Sequence, residues 1–142
     1  MDRTEIILAG LAAGGQGAAF PPAQVQKLFF LLDAEIASYV DGPHFDFVPF
    51  DYGPFDRDVY SVLDSASGAG LVAIDRAGRV RTYSLTPAGY ARGSAILGAV
   101  AEPARTFIAR AAKWVLSLPF AQLVSAIYQR YPDMKANSVF RG

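Results

Sequence analysis

Leu71-Val72-Ala73-Ile74-Asp75-Arg76-Ala77-Gly78-Arg79-Val80-Arg81-Thr82-Tyr83-Ser84-Leu85-Thr86-Pro87 is the stretch whose reading decides the fold. Two short apolar or alternating runs, 71–74 and 80–85, flank a polar turn around Gly78, the pattern of an antiparallel hairpin. Thr86-Pro87 follows at once. It offers a hydroxyl to cap a helix and a proline for the first helical position, where a missing N–H costs nothing. That helix is predicted to run to about Ala101.

Upstream of the hairpin the chain reads as three helices. Asp2 and Glu5 have the spacing of a capping box, opening a helix to about Ala13 that the run Gly14-Gly15-Gln16-Gly17 ends. Pro21-Pro22 opens a second, in which Val25, Leu28, Phe29, Leu32, Ile36, Tyr39 and Val40 recur at helical spacing until Asp41-Gly42-Pro43. Residues 45–52, rich in aromatics, read as extended. Gly53-Pro54 is read as the start of the third helix, with Phe55, Val59, Val62, Leu63 and Ala66 as its buried stripe. Downstream, Pro103 to Leu118 buries Phe107, Ile108, Ala111 and Val115, and a last helix carries Phe120, Leu123, Val124, Ile127 and Tyr128 up to Pro132. The expected fold is mainly α: a winged helix-turn-helix with a two-stranded wing and additional C-terminal helices, one domain over residues 1–132 and a tail over 133–142.

Composition narrows the chemistry. With 142 residues, 52% hydrophobic and 18% charged, the chain has enough apolar surface for a single core. No cysteine and one histidine, His44, exclude a disulfide framework, a zinc finger and thiol catalysis, so no metal and no cofactor are expected. The charge-free run from Ile6 to Gln26 is broken by glycines and prolines and is no membrane span. The acidic start Met1–Glu5 is unlike a secretory signal, and a cytoplasmic location is expected. The net charge of zero hides a polarity: residues 1–75 hold eleven acids and three bases, residues 76–142 ten bases and two acids. Internal ion pairing is the expected resolution.

The order helix, helix, helix, hairpin, helix resembles a winged-helix domain, as do Gly70-Leu71-Val72 and Tyr83-Ser84-Leu85-Thr86-Pro87-Ala88-Gly89. A second resemblance lies upstream. Gln26-Lys27-Leu28-Phe29-Phe30-Leu31, an aromatic stretch, and then Tyr52-Gly53-Pro54-Phe55 with Val59-Tyr60 are similar to the YwgA-like group of bacterial proteins and to the SocA-type, or Panacea, antitoxin domain. The antitoxin resemblance implies a mostly helical adaptor or toxin-neutralising domain without catalysis. The chain departs from it in a longer segment before Tyr52-Gly53-Pro54 and in a well-formed wing.

Candidate contact residues follow. The helix before a wing usually enters the DNA major groove, yet here it carries Asp56, Asp58 and Asp64 against Arg57 alone, which repels phosphate. The wing offers Arg76, Arg79 and Arg81, suited to phosphate or an acidic protein surface, with Arg81 and Tyr83 on one strand face. Tyr52, Phe55 and Arg57 complete the expected partner-binding set. Phe107, Phe120 and Ile127 on the last two helices are the expected homodimer contacts. Lys27 is expected to pair with an acid such as Asp51. No nucleophile with an oriented base and no phosphate loop is present, so the expected role is non-catalytic protein binding, with DNA binding through the wing as the alternative.

Overall fold

The computed structural model describes residues 1–141. Six helices dominate: α1 (Arg3–Ala12), α2 (Pro22–Ile36), α3 (Arg57–Gly68), α4 (Pro87–Gly98), α5 (Ala104–Ser117) and α6 (Phe120–Arg130). Two small antiparallel hairpins lie between them, β1 (Val48–Phe50) with β2 (Gly53–Phe55), and β3 (Val72–Asp75) with β4 (Thr82–Leu85). The fold is therefore mainly helical with two two-stranded sheets. No described helix is long and apolar enough to cross a membrane.

α1 is the centre of the molecule. Its capping box forms as the sequence predicts, the Asp2 carboxylate accepting from the Glu5 N–H at 2.8 Å and the Glu5 carboxylate from the Asp2 N–H at 2.9 Å. Every residue from Ile6 to Ala12 is buried, so the helix has no solvent face. This explains the charge-free run: a helix apolar all round is a core helix. Its closest neighbour is α4, where Gly93 lets two backbones meet; a Cβ there would collide with the Leu8 carbonyl oxygen.

The decisive hairpin forms where the sequence places it, with Val72 opposite Leu85 and Ile74 opposite Tyr83. Leu85 and Tyr83 turn inward, and the Thr86 hydroxyl caps α4 by accepting from the Gly89 N–H at 3.1 Å. β4 also takes a partner on its other side: Phe20, between α1 and α2, exchanges two backbone hydrogen bonds with Tyr83, at 2.8 and 2.9 Å.

The third helix begins later than expected. Gly53 and Pro54 belong to β2, and α3 starts at Arg57 behind Asp56, whose carboxylate accepts from the Asp58 N–H at 2.8 Å. Gly53 has φ of +103°, a left-handed turn residue feeding a strand rather than a helix. Phe55 consequently leaves the helix stripe, stacks on Phe50 and meets Tyr60 edge-on, with centroids at 5.0 and 5.9 Å. Residues 133–141 pack against β1, β2 and α6. Asn137 Nδ2 donates to the Pro49 carbonyl at 3.2 Å, the Val139 N–H donates to Asp51 O at 2.9 Å, and Phe140 sits against Phe120 and Tyr128. Gly142, the last residue of the expected tail, lies outside the described residues.

Candidate functional site

The Gln26-Lys27 pair on α2 and the Gly53-Pro54 turn, far apart in sequence, meet in space. Gln26 is 1% exposed and clamps the backbone of Asp56 from both sides: its amide donates to Asp56 O, and its carbonyl accepts from the Asp56 N–H, both at 2.9 Å. Lys27, 4% exposed, donates to Pro54 O at 3.5 Å and has no carboxylate partner. The expected ion pair with Asp51 is absent, because Lys27 lies under β2 while Asp51 sits exposed in the turn ahead of it. Burial pushes the Lys27 amine down to about 8. These residues hold the β1–β2 hairpin onto α2.

His44 is held in its loop by its ring contact to Val40 O at 2.6 Å, and the Asp33 carboxylate accepts from the His44 and Phe45 N–H groups at 2.9 and 2.8 Å. Burial raises the Asp33 pKa and the two backbone donors pull it back. Among the described residues no group of three His, Cys, Asp or Glu side chains is disposed to hold a metal ion.

The β3–β4 hairpin separates the three arginines. Arg76 and Arg79 are exposed in the turn and make no ion pair. Arg81 lies flat over Tyr60 and Tyr83, 4.7 and 5.5 Å from their ring centroids, and donates through Nε to the Tyr83 hydroxyl. It therefore ties the β3–β4 hairpin to α3 instead of standing free for contact. Burial raises the Tyr60 and Tyr83 phenols above their ordinary value.

Of the expected dimer contacts, Phe107 and Ile127 come together and Phe120 does not. Phe120 is displaced to a second patch with Tyr52 and Phe140, 42% exposed, its ring 5.2 Å from Tyr52. Arg57, at the start of α3, is exposed and belongs to neither patch.

Phe107 and Ile127 line an open groove of about 600 Å³ between α5 and α6, floored by Leu31 of α2. α5 contributes Phe107, Arg110, Ala111 and Trp114, spaced by three, one and three residues, one continuous helical stripe. Trp114 is 37% exposed, and Arg130 at the end of α6 and Tyr131 just after it also line the groove. Arg130 reaches Glu35 at 3.5 Å, and the Tyr131 hydroxyl donates to the same carboxylate at 2.8 Å. Burial and that acceptor push Tyr131 up to about 12. Arg110 is exposed and unpaired. Phe107, Ala111 and Ile127 were readable in the helix stripes; Leu31, outside the expected α2 stripe, and the exposure of Trp114 were not, because periodicity does not show where the neighbouring helix ends.

No protein-family model matches the chain, and no curated protein matches it either.

Proposed function

We propose that this chain is a non-catalytic protein-interaction domain that docks a partner in the groove between α5 and α6. One observation carries the proposal: a helical stripe of Phe107, Ala111 and Trp114 faces an open apolar hollow of ligand size, where a half-exposed tryptophan has no core to complete. Buried aromatic anchors dominate protein interfaces, and an exposed one beside an apolar floor is the feature such interfaces use. The winged-helix reading supports the same role. Three helices precede the β3–β4 hairpin, and the Phe20 bridge supplies the third strand position that a wing sheet uses, between the first two helices. The likeness to the antitoxin-type adaptors rests on Gln26-Lys27 and Tyr52-Gly53-Pro54-Phe55, and here Lys27 donates to Pro54 O while Gln26 clamps the neighbouring Asp56.

A photoreactive side chain placed at Gln129, on the groove rim, tests the proposal against the same group at Arg92 on exposed α4. A protein cross-linked in its native cell from Gln129 and not from Arg92 is expected. Once purified, that protein should lose about thirtyfold in affinity on Trp114→Ala, the loss of one interface anchor worth about 2 kcal/mol. Equal cross-linking from both positions, or an affinity unmoved by Trp114→Ala, refutes groove docking.

A second reading, DNA binding through the wing, is favoured by the exposed and unpaired Arg76 and Arg79. α3 argues against it, since its exposed face carries Asp58 and Asp64. Any affinity for duplex DNA is expected to be weak, steeply dependent on salt, and lost in Arg76→Ala/Arg79→Ala. Tight sequence-specific binding that survives the double change would put this reading first.

A further inference from the structure

Resting on the groove reading, we infer that its occupant is an acidic amphipathic helix, with carboxylates that meet Arg110 and Arg130. Both walls are helices whose backbone groups are bonded internally, so the groove offers no strand edge to an extended peptide. A helix satisfies its own backbone and needs only side-chain contacts. From Phe107 to Trp114, α5 presents roughly 10 Å, room for about two turns of a docked helix. A second hollow, running back toward Glu102, shares Phe107 and Arg110 and extends the track.

The sign of the partner follows from what the rim leaves unsatisfied. α5 carries Arg105, Arg110 and Lys113 and no acid. Arg105 is engaged by Glu102 at 3.3 Å and by Gly98 O at 3.3 Å, whereas Arg110 stands on the groove stripe with no acid beside it. Arg130 shares Glu35 at 3.5 Å, and because Tyr131 also donates to Glu35, Arg130 can turn to an incoming carboxylate without leaving Glu35 unbonded. A second copy of this chain is disfavoured as occupant. Two-fold pairing through the groove would bring two copies of the same basic rim, Arg110 and Arg130, into one interface, and like charges across an interface repel.

Trp114 is the only tryptophan, so its emission reports groove occupancy in the full chain. The probes are two synthetic helical peptides of equal length, with leucines at i, i+3, i+4 and i+7, one flanked by glutamates and one by lysines, and sodium decanoate as a small amphiphile. The glutamate peptide is expected to shift Trp114 emission to the blue and to bind at least about tenfold tighter than the lysine peptide in low salt, with the gap closing in molar NaCl. Arg110→Glu/Arg130→Glu, both changes at exposed positions and checked by an unchanged melting curve, is expected to invert the preference. Equal binding of both peptides, or a preference that survives the double reversal, overturns the acidic-partner inference while leaving groove docking standing. A response to decanoate alone, or to none of the probes, overturns both.

Discussion

Replacing Lys27 by methionine should make the protein more stable, and by an amount that depends on pH in a defined way. Lys27 is buried with a single long hydrogen bond to Pro54 O at 3.5 Å and no carboxylate. Burial lowers its pKa from 10.5 to about 8. One pKa unit corresponds to about 1.4 kcal/mol, so below pH 8 the folded protein carries a penalty of about 3 kcal/mol for holding the ammonium inside. Between pH 8 and 10.5 the unfolded chain binds the proton and the folded one has shed it, so stability rises with pH there. From pH 7 to 9.5 the gain is about 2 kcal/mol. Tyrosines ionising in the unfolded chain near pH 10 pull the other way above that range, since burial keeps Tyr60 and Tyr83 protonated in the fold. Methionine fills the same slot without a charge, and Lys27→Met should add about 2–3 kcal/mol at pH 7 and flatten the rise. Equilibrium urea unfolding of both proteins at pH 7, 8.5 and 9.5 reads this directly. A wild type whose stability is flat or falling from pH 7 to 9.5, or a variant less stable than wild type at pH 7, refutes the reasoning.

Gln26→Ala should cost about 2–3 kcal/mol, since it strips a donor and an acceptor from the buried backbone of Asp56; urea unfolding should show the loss without a change of fold by circular dichroism. Gly93→Ala should lower stability by about 2–4 kcal/mol by forcing α4 off α1, while Gly98→Ala, with open space around its Cβ, should be neutral or raise it by about 0.5 kcal/mol; thermal unfolding of the pair checks both. Arg81→Ala should cost about 0.5–1 kcal/mol through the lost stack on Tyr60 and Tyr83, and Arg76→Ala and Arg79→Ala should each stay within about 0.5 kcal/mol of wild type in the same assay.

The helices were legible because their signals are local. Asp2 with Glu5 and Thr86 with Pro87 mark helix starts and the apolar stripes of α2, α5 and α6 mark buried faces, although α2 ends at Ile36 and a 3-10 turn over Ala37–Tyr39 takes the place of its expected last turn. The β3–β4 hairpin was legible for the same reason. Gly53-Pro54 misled because proline suits the first turn of a helix and an edge strand alike, and only the Gln26 clamp on Asp56 decides between them. Lys27 misled because a lysine on an apolar helix normally finds an acid, and the depth of the site depends on β2 lying over it, a contact between residues far apart in sequence. The wing was readable as a charge cluster but not as a divided one. Arg81 is withdrawn by Tyr60, a residue of a different element.

The charge polarity of the chain is where local and global readings meet. Four ion pairs form among the described residues, and only Arg130–Glu35 joins a base of the second half to an acid of the first. Internal neutralisation, the expectation from a net charge of zero, is thus largely absent, and the two signs are unevenly spread: α3 sets Asp58 and Asp64 against Arg57, while α5 carries Arg105, Arg110 and Lys113 and no acid. A molecule with no net charge gains no overall attraction for a charged partner, so discrimination has to come from where each sign sits. If the proposed occupant is an acidic helix, the bases of α5 would draw it and the acids of α3 would not, which would orient the encounter before any apolar contact forms. Salt should therefore slow association with such a partner more than it speeds dissociation, because the apolar floor at Leu31, Ala111 and Ile127 holds the docked helix after the charges have placed it.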